Sequence, residues 1–471
     1  MTNRRILSLI PLAALALSAC AAGPGYVAVS PPSPQVTTGP FISAEAGVTE
    51  PTPLPDNWWR LYDDPVLDSL VADALAANTD IRQARARIAR ARAGLRGARS
   101  DRLPQTAIGA GADYRRVPDS QRLPGADRDY ETYDLGLSVN YELDLFGRVS
   151  RGVQAARADV ERAQADADAV RVMVVADTTR AYADAASAAH RLQVAEEILA
   201  LLDQSLALTR RRHDAGVENG LAVARIEALR EQRAATMPAI LAEREAALYA
   251  LATLTGRAPA QLPEIAAERS VALEITQPLP VGDGAALLAR RPDIRAAERR
   301  LAADTARIGV ATADLYPRIT LGGSIGSTSS SLGDLFTGGP LRFLVGSLID
   351  WAFPNTEPVR ARIDAAEADA AESLAAFDGA VLSALQETET ALSAYARSLE
   401  QRQSLLVAAE AAERATRITR ARQREGVTDS LELLDAERTY AEATAQLAEQ
   451  DALISRRQIA VFRALGGGWA S

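Results

Sequence analysis

From Tyr133 to Leu145 the odd positions read Tyr, Leu, Leu, Val, Tyr, Leu and Leu, while the even positions 132–144 read Thr, Asp, Gly, Ser, Asn, Glu and Asp. Period two over this length predicts a strand with one apolar and one polar face, long enough to cross a bilayer when tilted. Three weaker runs follow the same rule. One, roughly Thr106 to Arg115, is rich in Gly and Ala. In another, Ile319, Leu321 and Ile325 alternate with Thr320, Gly322, Ser324 and Gly326, and the last, about Leu341 to Trp351, carries Phe343, Val345 and Ile349 on one face. The segments Asp119–Arg128 and Ser327–Pro340 are polar, Gly/Pro/Ser-rich connections. A half-buried soluble sheet would show the same alternation.

Between the strands the period changes. Residues 153–215 contain neither Gly nor Pro, and 380–425 form a second such stretch. Read as one helix, the first reaches ~95 Å at ~1.5 Å per residue, far beyond the three or so turns of an average helix. Leu192, Leu199 and Leu206 fall seven apart, as do Leu385, Leu392, Leu399 and Leu406. A seven-residue apolar repeat is a coiled-coil seam, and the many alanines elsewhere let neighbouring helices approach closely. A soluble helical bundle shares this periodicity.

The chain is one unit written twice. Asp80-Ile81-Arg82-Gln83-Ala84 recurs as Asp293-Ile294-Arg295-Ala296-Ala297, and Pro104 and Pro317 each follow 24 residues after the Asp. Leu208-Thr209-Arg210 and Gly216-Val217 match Ile418-Thr419-Arg420 and Gly426-Val427 at an offset of 210, which holds to Leu254-Thr255-Gly256 against Ala464-Leu465-Gly466. Each copy reads helix, two strands, long helix, turn, helix. Pro238 lies in the return helix of the first copy where the second has Ala448, which predicts a kink in one hairpin only.

Charge and composition narrow the function. All 52 basic residues are Arg, the net charge is −9, and there is one Cys and two His. No lysine is present for a phosphate loop or a Schiff base, and the acidic balance argues against nucleic-acid binding. His190 falls mid-helix and His213 beside a turn, so neither forms a catalytic or metal constellation; no catalytic residue, cofactor or metal site is expected. Arg4 and Arg5 precede an apolar run from Ile6 to Leu17 that ends in Leu17-Ser18-Ala19-Cys20. This order is a secretory signal, and it resembles a bacterial lipobox with Cys20 as the lipidated mature N-terminus. Eight prolines in residues 21–55 predict an extended tether. Four strands cannot close a barrel, and an open edge in lipid leaves backbone groups unsatisfied. An exported lipoprotein with such strands therefore needs several copies to share one barrel.

Several runs in one order resemble the TolC-like outer-membrane factors, of the NodT lipoprotein type found in RND efflux systems. They are Trp58-Trp59-Arg60-Leu61-Tyr62 with Asp64-Pro65, Asn78-Thr79-Asp80-Ile81, Tyr141-Glu142-Leu143-Asp144-Leu145-Phe146-Gly147-Arg148 and Arg291-Pro292-Asp293-Ile294. Arg424-Glu425-Gly426-Val427, Leu433-Leu434-Asp435-Ala436 and Ala464-Leu465-Gly466-Gly467-Gly468-Trp469 complete the set. The resemblance implies a mainly α fold with a membrane β-barrel contribution: a homotrimer with a twelve-stranded barrel in the outer membrane of a Gram-negative bacterium. A coiled-coil α-helical tunnel would extend into the periplasm, with a periplasmic adaptor and an inner-membrane RND pump as partners. On this reading 1–19 is a signal peptide, 20–55 a lipidated tether, 56–256 the first repeat, 257–282 a linker and 283–471 the second repeat. The run Phe353-Pro354-Asn355-Thr356-Glu357-Pro358 departs from the family's usual Gly-rich turn after the fourth strand, so that elbow is expected to differ.

The same resemblance gives roles to the hairpin turns. Gly216-Val217 and Gly426-Val427 would form the adaptor-docking turns, Gly ending each outgoing helix. Leu431 and Asp435, one helical turn apart, would line the periplasmic gate as a Leu ring and a carboxylate ring, with Arg225 placed to contact Asp435. Glu437 is expected off the pore axis. The expected function is a passive exit duct for drugs or other small molecules, closed until adaptor and pump engage. Two alternatives stand beside it: a type I secretion conduit, and a structural coiled-coil lipoprotein without a pore.

Overall fold

The computed structural model describes residues 22–468 except 126, 338 and 340. The signal segment and Cys20 lie outside the described residues. Two compact units are present. The first gathers the described residues up to Val29 with Arg87–Gln164 and Ala296–Phe377; the second gathers Ser30–Ala86, Ala165–Arg295 and the residues from Asp378 on. Each unit draws on both sequence copies, because the long helices contribute residues to both.

After a single helical turn at Pro34–Thr37, the helices are α1 (Pro65–Ala77), α2 (Thr79–Ser100), α3 (Arg148–Asp214), α4 (Gly220–Ala234), α5 (Met237–Leu254), α6 (Gly284–Arg290), α7 (Pro292–Ala313), α8 (Glu357–Arg424) and α9 (Ser430–Ala464). The return helix of the first copy is broken at Ala235–Thr236, with Pro238 in the first turn of α5, whereas α9 runs unbroken through buried Ala448. Proline has no N–H to continue the ladder, so the expected kink is a full interruption. Among the described residues no helix is long and apolar enough to cross a membrane.

The first unit is built on a four-stranded sheet of β1 (Gln105–Arg116), β2 (Asp129–Leu143), β3 (Arg318–Ser329) and β4 (Leu341–Asp350), in that order and antiparallel throughout. The register aligns Ile108, Leu137, Ile325 and Phe343 in one row, and Thr106, Val139, Gly323 and Val345 in another on the same face. β2 stops at Leu143, two residues before the expected end. Asp144 turns out of the strand and its carboxylate accepts hydrogen bonds from Val149 N (3.0 Å) and Ser150 N (2.8 Å), capping α3. Gly147, at φ +83°, makes the bend, and the Arg148 guanidinium clasps the Glu142 carboxylate. The run Tyr141–Arg148 is thus a strand-to-helix elbow. The second elbow is built differently: Trp351 stacks on Phe353 (4.9 Å) and its indole N–H donates to Leu315 O (2.9 Å).

The second unit holds the main core. Trp58 is fully buried and stacks on Phe462 at 4.7 Å, among Leu67, Val71, Tyr182, Leu251 and Leu279. Burying each such side chain contributes about 1.5–3 kcal/mol. A Cβ on Gly467 would sit 2.7 Å from Trp58 Cδ1, so the C-terminal glycines are required by packing. Arg291 donates to Ala464 O (2.8 Å), Asp293 (2.7 Å) and Glu387 (2.9 Å), tying the start of α7 to the end of α9 and the middle of α8.

Candidate functional site

Two surfaces carry the functional geometry, one in each unit. In the first, the sheet turns a continuous apolar face outward: Ile108, Phe343 and Val345 are 78%, 79% and 81% exposed, with Leu321, Ile325 and Ile349 beside them. The opposite face is small and polar, with the rows Ala107, Ser138, Ser324 and Gly109, Gly136, Gly326. On that face Arg342 of β4 reaches Asp134 of β2 (2.8 Å) and Thr328 of β3 (2.7 Å) across the glycine row. β4 is less strictly alternating than expected, since Leu344 and Leu348 are also exposed on the polar side. Among the described residues β1 and β4 have no partner on their outer edges. An exposed apolar face of this size on a sheet with two open edges is not a water-soluble surface.

In the second unit, α3 and α8 end in the same way. Gly216 (φ +73°) donates to His213 O at 2.8 Å while Val217 N reaches Arg212 O at 2.9 Å; Gly426 (φ +77°) and Val427 repeat this with Gln423 O and Arg422 O, both at 3.0 Å. These are Schellman caps, which need the left-handed conformation that glycine adopts freely. The following helices are capped by Asn219 on Ala222 N (3.0 Å) and Asp429 on Glu432 N (2.9 Å). Val217 and Val427 are left 68% and 67% exposed, and Leu221 and Leu431 are exposed one turn further on.

The two turns are stitched together. The Ser430 hydroxyl donates to the Glu218 carboxylate and accepts from Gln423 Nε2 (3.2 Å), while Arg212 Nη1 donates to Gln423 O (3.4 Å). Ser430 and Gln423 are buried. His213 lies against Glu218 O at 3.0 Å, and His190 is half-buried on α3.

The gate candidates separate. Leu431 and Asp435 do lie one turn apart on an exposed part of α9. Within the chain, however, Asp435 is paired with Arg438 (2.8 Å) and not with Arg225. Arg438 sits three residues along the same helix and needs no help from the other hairpin, whereas Arg225 is exposed on α4 and makes no ion pair within the chain among the described residues.

Glu437, expected only to lie off the pore axis, is buried between helices. Its side chain is 0% exposed, its Oε1 accepts from the Ser205 hydroxyl of α3 and from Arg420 Nη2 of α8 (2.9 Å), and its Oε2 has no hydrogen-bond partner among the described residues. Burial pushes its carboxyl above the usual range, against the opposing pull of Ser205 and Arg420. The signal that could have found it is its place in the buried line Ser430, Leu433, Glu437, Ala441 and Ala448.

Comparison with known proteins agrees with this architecture. A family model described as outer membrane efflux protein matches residues 70–257 and 285–467. The chain is 32% identical to the outer membrane protein OprJ of Pseudomonas aeruginosa, covering 97% of this chain and 95% of that protein. It is 29% identical to nodulation protein T of Rhizobium leguminosarum bv. trifolii, covering 98% and 97%. The solved outer-membrane channel OprN superposes with a TM-score of 0.88 at 38% identity, over 96% of this chain and all of that one. The chain belongs to the outer membrane efflux protein family.

Proposed function

We propose that this protein is the passive outer-membrane exit duct of a tripartite RND efflux system, working as a homotrimer with a periplasmic adaptor and an inner-membrane pump. The observation that carries this reading is the four-stranded sheet, with its apolar face exposed and both edges free. Three copies supply twelve strands, leave no edge in lipid and enclose a polar lumen. A structural lipoprotein without a pore has no use for such a face, and efflux rather than type I secretion fits the family. Cys20 is the lipidated residue, closing the Leu17-Ser18-Ala19-Cys20 run, so that acyl chains add a second attachment to the membrane that the barrel spans. The turns at Gly216-Val217 and Gly426-Val427 dock the adaptor, and Leu431 and Asp435 close the lumen, with Arg225 free to reach Asp435 of a neighbouring copy. The duct does no chemistry; it opens or stays shut.

Purified protein in planar bilayers tests the reading. Discrete conductance steps from a detergent-stable trimer, and lost drug resistance in a deletion strain that the gene restores, are expected. A monomer that retains its strand signal and forms no channel would overturn it.

A further inference from the structure

In the second unit a cavity of about 580 Å³ opens between α3, α8 and the junction where α7 begins beside the end of α9. That volume falls within the roughly 300–1,000 Å³ of sites that hold small organic molecules. Its place follows from helix periodicity. α8 gives Leu392 and Tyr395 to the main core and α9 gives Ile454, Val461 and Phe462, where they meet Leu54, Trp58, Leu273 and Leu279 from segments outside the long helices. Gln386 and Thr390 of α8, with Ala460 and Arg463 of α9, lie on the opposite faces and line the cavity, to which those segments contribute nothing. The helices thus carry a covering belt on one side and the cavity on the other. In a tunnel built of such helices the uncovered side faces the lumen.

The charged side chains of the cavity do not balance. Arg291 holds both carboxylates of the lining, Asp293 at 2.7 Å and Glu387 at 2.9 Å. Arg457 and Arg463 are exposed, and their guanidiniums make no hydrogen bond or ion pair within the chain among the described residues. Their own helix offers them no acid: three and four residues away stand Leu453, Ile454, Ala460 and Val461 for Arg457, and Ile459, Ala460, Gly466 and Gly467 for Arg463. The adjacent Arg456, by contrast, is paired with Asp184 at 2.6 Å. A guanidinium presents a fork of donors that matches carboxylate, sulfonate or phosphate oxygens. Beside the two arginines the wall is apolar, with Val172, Ala391 and Met173, which is 57% exposed. Methionine adapts its shape to varied apolar surfaces.

We propose that this cavity is a lumenal binding site for an organic anion in transit, with the acidic head on Arg457 and Arg463 and the apolar body against Met173 and Ala391. The inference rests on the duct reading, which makes the uncovered face lumenal and the ligand cargo. Asp293 and Glu387 are both occupied by Arg291, so the two free arginines set the sign of the site. A conduit needs sites that are favourable enough to enter and weak enough to leave. Arginines that remain open to water meet that need, because water competes for every hydrogen bond they make to the ligand.

Naphthalenesulfonate and its cationic counterpart, naphthylmethylammonium, probe the site on the full-length protein. Isothermal titration calorimetry in dodecyl maltoside, with detergent alone as the blank, should show the sulfonate binding and the ammonium not. Arg457→Gln with Arg463→Gln should weaken sulfonate binding by about tenfold or more, the loss expected for charge-assisted hydrogen bonds. Lys at both positions keeps the charge and should retain most of the affinity. In planar bilayers the sulfonate should interrupt single-channel current, and the interruptions should shorten in the Gln pair. Equal binding of the two probes, or unchanged sulfonate affinity in the Gln pair, overturns the site and leaves the duct reading standing. Arginine-dependent binding that never interrupts a conducting channel overturns the lumenal placement. The same binding in a protein that conducts no ions keeps the anion site and overturns the duct reading.

Discussion

Glu437 and Ser205 share a hydrogen bond that no solvent reaches, and Arg420 completes the contact so that one carboxylate joins α3, α8 and α9. The arrangement is costly, because burial raises the Glu437 pKa despite both partners. A carboxyl raised in the folded state contributes stability that is full below its unfolded pKa and is lost as pH rises through the folded value. Melting temperature should therefore fall as pH climbs above the usual carboxylate range, and Glu437→Gln should flatten that limb. Glu437→Ala strands the Ser205 hydroxyl and frees Arg420, which should cost about 2–3 kcal/mol. Circular dichroism melts across pH 4.5–7.5 decide; an unchanged slope in the Gln variant would assign the pH dependence to another group.

The pattern of buried positions on α3 shows why the burial of Glu437 is not legible from leucine spacing. A search for leucines at sevenfold spacing finds 192, 199 and 206, yet the buried line on α3 is Ile198, Leu202, Ser205 and Thr209, one residue out of phase, with Leu206 beside it and Leu192 and Leu199 only half-buried. Small polar residues occupy seam positions by bonding locally, as Thr209 does to Ser205 O (2.9 Å), so hydrophobicity alone undercounts them. The strands were legible because period two has no helical counterpart, and the turns because glycine at a positive φ leaves a fixed signature. Runs such as Trp58–Tyr62 and Arg291–Asp293 mark the fold reliably, but the structure spends them on packing and on tying helix ends.

The sheet faces make a paired prediction. Leu137 and Val139 lie in apolar rows with Ile325 and Val345, while Ser138 lies between Ala107 and Ser324 on the other face. Leu137→Arg or Val139→Arg should cost about 2–4 kcal/mol per site near mid-bilayer and deplete folded trimer from outer membranes. Ser138→Arg should be tolerated. Equal loss from all three would mean that the apolar face is not the lipid face.

The turn glycines should respond through backbone strain alone. Neither Gly216 nor Gly426 has anything within 4 Å of where a Cβ would sit, so Ala at either adds no clash. The left-handed φ costs an L-residue about 1–2 kcal/mol, and Asn should cost less than Ala. Adaptor binding, measured by surface plasmon resonance, should weaken most in the double Ala variant. Full affinity in a variant whose melt is lowered would move the docking surface away from these turns.

The gate prediction turns on Arg438. In a closed ring of three Asp435 carboxylates, each charge is partly neutralised by its own Arg438 at 2.8 Å, with both groups largely exposed. Removing either partner should then shift selectivity in opposite directions. Asp435→Ala should weaken cation preference, and Arg438→Ala should strengthen it by baring the carboxylates. Leu431→Ala should raise conductance with little change in selectivity, because it widens the apolar constriction without touching the charge. Combined with Asp435→Ala it should also let bulky antibiotics enter through an otherwise intact outer membrane. Arg225→Ala should leave all of this unchanged unless a neighbouring copy brings its own Asp435 within reach, in which case the variant should open more readily. Reversal potentials in asymmetric KCl across planar bilayers separate these outcomes. Shifts of the same sign from Asp435→Ala and Arg438→Ala would show that the ring does not set the selectivity of the pore.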